Sequence, residues 1–222
     1  MLYAFTTISV LLSLFFNLFN WQKAVHRIIK LWSKGSFILI GKLYRIEGKE
    51  NFDKNKKYIL IANHSSLFDI MAIMSIYPDV SWFGREYLIN VPIFGRFLKT
   101  INYIPMKTSD IRNTKKMVER LISQTKNNTL AIFPEGTRTI DGELNKFRKG
   151  FLYVLKATEL DILPVTLRGF YDFKPKSRFY FDYTSKLSAL IHPPIRYSEI
   201  KNLDNQEIID IVKETIDSAL PK

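Results

Sequence analysis

From residue 57 onward, short apolar runs take turns with segments whose apolar residues recur at helical spacing. The strand candidates are 57–62, 80–84, 101–105, 129–133, 162–167, 178–183 and 187–192. The helix candidates are 66–77, 92–99, 109–125, 150–158 and 205–219. Tyr58-Ile59-Leu60-Ile61-Ala62 and Thr129-Leu130-Ala131-Ile132-Phe133 are apolar without alternation, the pattern of strands covered on both faces. The expected fold class is therefore α/β, a mixed central sheet flanked by helices. In a chain of 222 residues with 46% hydrophobic content there is enough apolar side chain for one sizeable core, and no internal repeat suggests a solenoid. The reading places one α/β domain over 45–222, entered through a polar, turn-rich junction at 45–57. The partial apolar faces of 109–125 and 205–219, the former with Asp110 placed to cap it, mark packing helices.

The first 44 residues have a different character. Leu2 to Trp21 contains no charged side chain, and as a helix it would run about 30 Å, enough to cross or lie deep in a bilayer. No basic residue precedes the run and no small-x-small site follows it, so it does not read as a cleaved signal. Next come Val25, Ile28, Ile29 and Trp32 at helical spacing, surrounded by Lys23, His26, Arg27, Lys30 and Lys34, the pattern of a basic interfacial helix. Residues 1–44 are thus expected to form a membrane-associated helical element, either an embedded hairpin or one span plus an interfacial helix. Its cations favour the cytoplasmic face of a cell inner membrane or plasma membrane.

Lys and Arg outnumber Asp and Glu by 33 to 21, a net charge of +12 that calls for anionic partners. The cations are spread along the chain with no nucleic-acid-binding motif, which favours an anionic membrane surface or phosphorylated small molecules over nucleic acid. There is no cysteine, and His26, His64 and His192 lack metal-ligand spacing, so the chemistry expected is free of thiols, metals and bound cofactors.

Two constellations carry that chemistry. Asn63-His64-Ser65-Ser66-Leu67-Phe68-Asp69 lies where a strand candidate gives way to a helix candidate. An imidazole there can take a proton, with Asp69 fixing its tautomer. Ser66 to Asp69 also fits a helix-capping pattern, in which Asp69 merely satisfies amide donors, and spacing alone leaves both readings open. The second constellation, Pro134-Glu135-Gly136-Thr137-Arg138, follows the strand candidate 129–133, and Lys146, Arg148 and Lys149 lie just downstream. Gly136 permits close backbone approach, and the cations with a following helix start suit a phosphate; a basic surface loop with a structural Glu–Arg pair remains the alternative.

Asn63-His64-x4-Asp69 followed by Phe133-Pro134-Glu135-Gly136-Thr137-Arg138 resembles the 1-acylglycerol-3-phosphate acyltransferases. Phe147-Arg148-Lys149-Gly150 and Leu163-Pro164-Val165 extend the likeness to about residues 45–170, and the N-terminal segment is similar to the two-helix membrane element of bacterial members. The resemblance implies His64 as general base and Asp69 as its orienting carboxylate. It implies Arg138, Lys149 and Lys107 on the acceptor phosphate, with Glu135, Gly136 and Thr137 shaping the glycerol site. Lys107 stands where the family commonly has an arginine, which keeps the charge but not the bidentate fork. The implied reaction moves an acyl group from acyl-CoA or acyl carrier protein to lysophosphatidate, without cofactor. Direct transfer is expected, with amides at the helix start as oxyanion donors. Other acceptors, such as glycerol 3-phosphate, another lysophospholipid or an acylated amino acid, and a non-catalytic membrane-binding role are the competing readings. Met71, Ile73 and Met74 suit either an acyl-chain pocket or, at helical spacing, the core.

Overall fold

The computed structural model describes residues 1–53, 55–101, 103–106, 119, 122–123 and 128–221. Lys107 and the helix expected at 109–125 lie outside the described residues, apart from Glu119, Ile122 and Ser123, which are helical. The strands are β1 (Tyr44–Glu47), β2 (Ile59–Ala62), β3 (Ser81–Arg85), β4 (Ile104–Met106), β5 (Leu130–Ile132), β6 (Ile162–Arg168) and β7 (Leu187–Ile191). The helices are α1 (Leu2–Leu18), α2 (Gln22–Leu39), α3 (Phe68–Ile76), α4 (Phe94–Thr100), α5 (Gly150–Thr158), α6 (Phe170–Phe173), α7 (Tyr197–Ile200) and α8 (Asn205–Asp217). The seven strands form one mixed sheet in the order β1-β7-β6-β2-β5-β3-β4. Every neighbouring pair is parallel except β6 with β7.

Side chains alternate across a strand, and here each face finds its own layer. Leu60, Ala62, Ala131, Leu163, Val165 and Leu167 pack with α2 and α3, while Ile59, Ile61, Leu130 and Ile132 pack with α5 and α8. Burying an aliphatic side chain contributes about 1.5–3 kcal/mol, so the central strands β2, β5 and β6 are the strongest apolar contributors to the sheet. Ile73 and Met74 are fully buried in the first layer, and Met71 packs against it. Their helical spacing therefore serves the core.

The sheet also sets where the two sequence constellations meet. β2 and β5 are parallel and in register, Ile61 opposite Ile132. Residues 63–69 and 133–138 consequently leave adjacent strands at the same edge, where parallel sheets place their ligand crevices. Asn63 carries the pairing one step past β2: its side-chain amide donates to Leu167 O at 2.9 Å and its Oδ1 accepts from Leu167 N at 2.7 Å.

Two expectations are corrected. Residues 178–183 form bends and a turn, not a strand: Phe179 and Tyr180 are exposed, and among the described residues no strand pairs with them. The polar junction contains β1, an edge strand paired with β7; its alternation of Tyr44 and Ile46 with Arg45 and Glu47 reads as polar in sequence. The Arg168 guanidinium fastens this edge, donating to Glu47 Oε2 at 2.7 Å and Ser188 Oγ at 2.8 Å.

At the N-terminus α1 and α2 form a hairpin, turned at Asn20 with φ 54°. Its seam is small and polar: Ser9, Ser13, Ser33 and Ser36 are buried, and a Cβ at Gly35 would lie 2.8 Å from the Phe5 ring. Small residues of this kind let helix backbones approach closely. The outer side of α2 is basic, and its inner side places Val25, Ile29 and Phe37 in the core beside α3. α1 stops at Leu18, short of the expected run to Trp21, and among the described residues no helix is long and apolar enough to cross a membrane.

Gly169, between β6 and α6, has φ +77°, and a Cβ there would sit 2.2 Å from the Lys186 carbonyl oxygen. Gly41 has φ +68° with open space around it. Gly169→Ala should therefore cost well over about 1 kcal/mol, whereas Gly41→Ala costs only the backbone share of about that size. Urea unfolding of the two variants, compared with the parent, measures the difference.

Candidate active site

The chain turns sharply between β2 and α3, and one carboxylate oxygen organises the turn. Asp69 Oδ2 accepts from Ser65 N at 2.6 Å and Ser66 N at 2.7 Å, and it lies 2.8 Å from His64 Nδ1. Asp69 is fully buried, and its Oδ1 has no partner among the described residues. Both readings of Asp69 hold together: it satisfies amide donors at the helix start and holds the imidazole. A carboxylate on Nδ1 selects the tautomer with the proton on Nδ1 and leaves a lone pair on Nε2. Nε2 has no hydrogen-bond partner among the described residues, and the side chain is 14% exposed, enough for a ligand group to reach it.

The imidazole plane is fixed by stacking. Phe133, the first residue beyond β5, lies parallel to His64 with ring centroids 4.0 Å apart and an interplanar angle of 10°. Trp82 of β3 stacks on the other side of this array, 5.3 Å from Phe133. With Nδ1 tied to Asp69 and the ring face against Phe133, neither tilt nor flip is free, the pre-organisation that a proton-transfer group needs.

Glu135 joins the two loops. Its Oε1 accepts from His64 N at 2.6 Å, and its Oε2 accepts from Asn145 N at 3.0 Å and Asn145 Nδ2 at 2.9 Å. The side chain is buried, and burial pushes its carboxyl above the usual range while these donors pull it back. One residue past Arg138, Thr139 N donates to His64 O at 2.9 Å, a second clasp between the loops. The amides of His64, Ser65 and Ser66 are thus engaged internally. These three are therefore spoken for before any ligand arrives.

Gly136 has φ +70°, and a Cβ there would come within 2.9 Å of Arg148 Nε, so the guanidinium lies directly over the glycine. Arg148 N donates to Pro134 O at 2.9 Å, and buried Phe147 anchors the segment just before it. Thr137 and Arg138 are half-buried on the same loop, and Lys149 caps the start of α5 at the surface. The fold therefore brings His64, Asp69, Glu135, Gly136, Thr137 and Arg138 to one strand edge, with Arg148 added. Both Glu135 oxygens accept hydrogen bonds from the protein, so its side chain braces the two loops against each other. Phe133 and Asn145 were not singled out in sequence for roles of their own; a stacking partner and an amide ligand carry no spacing signature.

Glu135→Gln should be destabilising although isosteric. Whichever way the amide turns, its NH2 faces a donor, either His64 N or the Asn145 pair. Leaving buried donors unmatched costs about 1–3 kcal/mol, readable as a shift in the denaturant midpoint.

Comparison with known proteins places this geometry. Residues 44–168 match the family model described as Acyltransferase. The chain is 29% identical over 187 residues to the chloroplastic 1-acyl-sn-glycerol-3-phosphate acyltransferase LPAT1 of Arabidopsis thaliana, spanning 83% of this chain and 52% of that protein. It is 27% identical over 194 residues to the 1-acyl-sn-glycerol-3-phosphate acyltransferase of Borreliella burgdorferi, spanning 85% of this chain and 73% of that protein. The chain spans about half the length of the plant chloroplast relatives it matches. The crystal structure of the 1-acyl-sn-glycerophosphate acyltransferase PlsC from Thermotoga maritima superposes with a TM-score of 0.84 at 26% identity, covering 98% of this chain and 90% of that one. With more than half of its residues inside the family match, and with the mixed sheet shared with a solved acyltransferase, the chain belongs to the Acyltransferase family.

Proposed function

We propose that this protein transfers a fatty acyl group from an acyl thioester to the sn-2 hydroxyl of 1-acylglycerol 3-phosphate, giving phosphatidic acid. The observation that carries the reading is the 2.8 Å contact of His64 Nδ1 with buried Asp69, which directs Nε2 to an incoming hydroxyl. The names of the relatives support the acceptor. An acyl thioester is already activated, and what the reaction lacks is a good nucleophile at neutral pH. Nε2 takes the proton as the acceptor oxygen attacks the thioester carbonyl, and Asp69 stabilises the imidazolium that forms. The tetrahedral intermediate then collapses with cleavage of the C–S bond. The departing sulfur recovers the proton from His64, leaving ester and thiol.

Arg138 and Lys149 hold the acceptor phosphate, and Arg148, laid over Gly136, supplies a further planar fork on the same rim. Lys107 completes this set as a proposal from the sequence. Thr137 and Gly136 border the glycerol, and Glu135 keeps the two loops in register. Holding both reactants in this way is worth several kcal/mol of barrier, on the order of 7 or more in well-oriented systems. The donor is acyl-CoA or an acyl carrier protein, and neither a metal nor a bound cofactor enters the scheme.

The acceptor and the product carry acyl chains, which gives the α1–α2 hairpin a use. Ile8, Leu11, Phe15 and Leu18 of α1 are exposed apolar side chains. We place them in one leaflet at the cytoplasmic face of the membrane, with the cations of α2 at anionic headgroups.

His64→Ala and Asp69→Asn should lower kcat by about 10²–10⁴-fold in a mass-spectrometric assay with lysophosphatidate and an acyl thioester. Arg138→Ala should instead raise KM for the acceptor well above any change for the donor. Wild-type turnover in His64→Ala would remove the base assignment. In membranes prepared from expressing cells, the intact protein should stay in the pellet after carbonate washing; full release would overturn the embedded hairpin.

A further inference from the structure

We infer that the loop 174–183 is a second membrane contact, an aromatic and basic lip that docks on anionic lipid beside the entrance to His64. It adds to the hairpin and rests on the proposed acyl transfer only for its purpose. The loop starts at the candidate site, where Ser66 Oγ donates to Lys174 O at 2.7 Å. It ends against the C-terminal end of α2, where Lys42 Nζ donates to Tyr183 O at 2.7 Å. It therefore bridges the two places a membrane-bound acceptor must connect.

Its base is rigid. Phe181 stacks on Phe173 with centroids 5.2 Å apart and meets Phe68 of α3 at 5.7 Å, while Asp182 N donates to Phe173 O at 2.9 Å. Lys174 Nζ also donates to the Arg178 carbonyl, and Arg178 to that of Asp172. On this base the tip is turned outward: Phe179 is 98% exposed and Tyr180 68%. An aromatic ring held almost wholly in water on a pinned loop is costly unless another surface takes it up.

The charge around the tip selects that surface. Lys174 lies over the Phe179 ring at 6.0 Å and Arg178 over the Tyr180 ring at 4.9 Å, with Lys176 between them in sequence. A groove of about 710 Å³, with Arg45 and Lys186 exposed beside it, separates the loop's end from the start of β1. Leu43, which lines it, is 78% exposed, and Ile38 at the end of α2 is 65% exposed. Exposed apolar side chains ringed by cations are the composition of an interfacial lipid contact, aromatic rings at the headgroup level and basic groups on anionic lipid. An acidic carrier protein would use the cations, but it gives no reason for a bare phenylalanine at the tip.

The chain has no cysteine, so Phe179→Cys can carry a single environment-sensitive fluorophore on the full-length protein. With vesicles of phosphatidylglycerol and phosphatidylcholine in equal amounts, its emission should rise and shift to the blue. The same label at Ser218→Cys, on the opposite layer beyond α8, should not respond. Phe179→Ser combined with Tyr180→Ser should lose about tenfold or more of the turnover of acceptor embedded in those vesicles, with unchanged turnover of a short-chain, water-soluble lysophosphatidate. A silent label on vesicle-bound protein overturns the inference, as does a label that answers an acidic carrier protein and not vesicles. Equal loss on embedded and soluble acceptor also overturns it. If the parent shows no acyl transfer, the proposed reaction fails while the label still decides the membrane contact.

Discussion

One buried oxygen, Asp69 Oδ2, holds the turn on which the site depends. It collects two backbone N–H groups and an imidazole nitrogen within 2.8 Å, replacing for each the water that burial takes away. A carboxylate at this position is an acceptor for all three, and no neutral side chain of the same size could accept as many. The turn geometry and the imidazole orientation are therefore set by one group. Local folding of residues 64–69 and the orientation of the imidazole become the same event.

Glu135 extends this from one loop to two. Its carboxylate reaches from the His64 backbone to Asn145, so the histidine turn, the cation-bearing loop and the segment leading into α5 are braced together. Removing a carboxylate from water costs free energy, and three N–H donors offset much of that cost. This use of Glu135 is positional, and it explains how a half-exposed loop holds its shape next to a crevice that must stay open.

Much of this frame was legible in sequence. β2, β5 and β6 are buried on both faces, the first two left unbroken apolar runs, and His64 with Asp69 stood at a strand-to-helix change. What misled was residue type without context. Phe179, Tyr180, Phe181 and Tyr183 have the composition of a strand, yet their neighbours are helix ends and aromatic rings, with no ladder to join. β1 was hidden for the opposite reason, because an edge strand that carries Arg45 and Glu47 outward resembles a polar linker. The donors spent on Asp69 and Glu135 were invisible too, since a backbone N–H has no letter of its own, and the pairing of His64 with Glu135 spans 71 residues. The short end of α1 had no sequence mark beyond Asn20, whose left-handed backbone turns the hairpin.

The in-register pairing of β2 with β5 has an evolutionary consequence. The two halves of the site are brought level by the sheet, not by the chain that runs between them. Exposed turns of that intervening stretch can exchange residues without moving His64 relative to Glu135, so long as α3, β3 and their buried side chains keep their places.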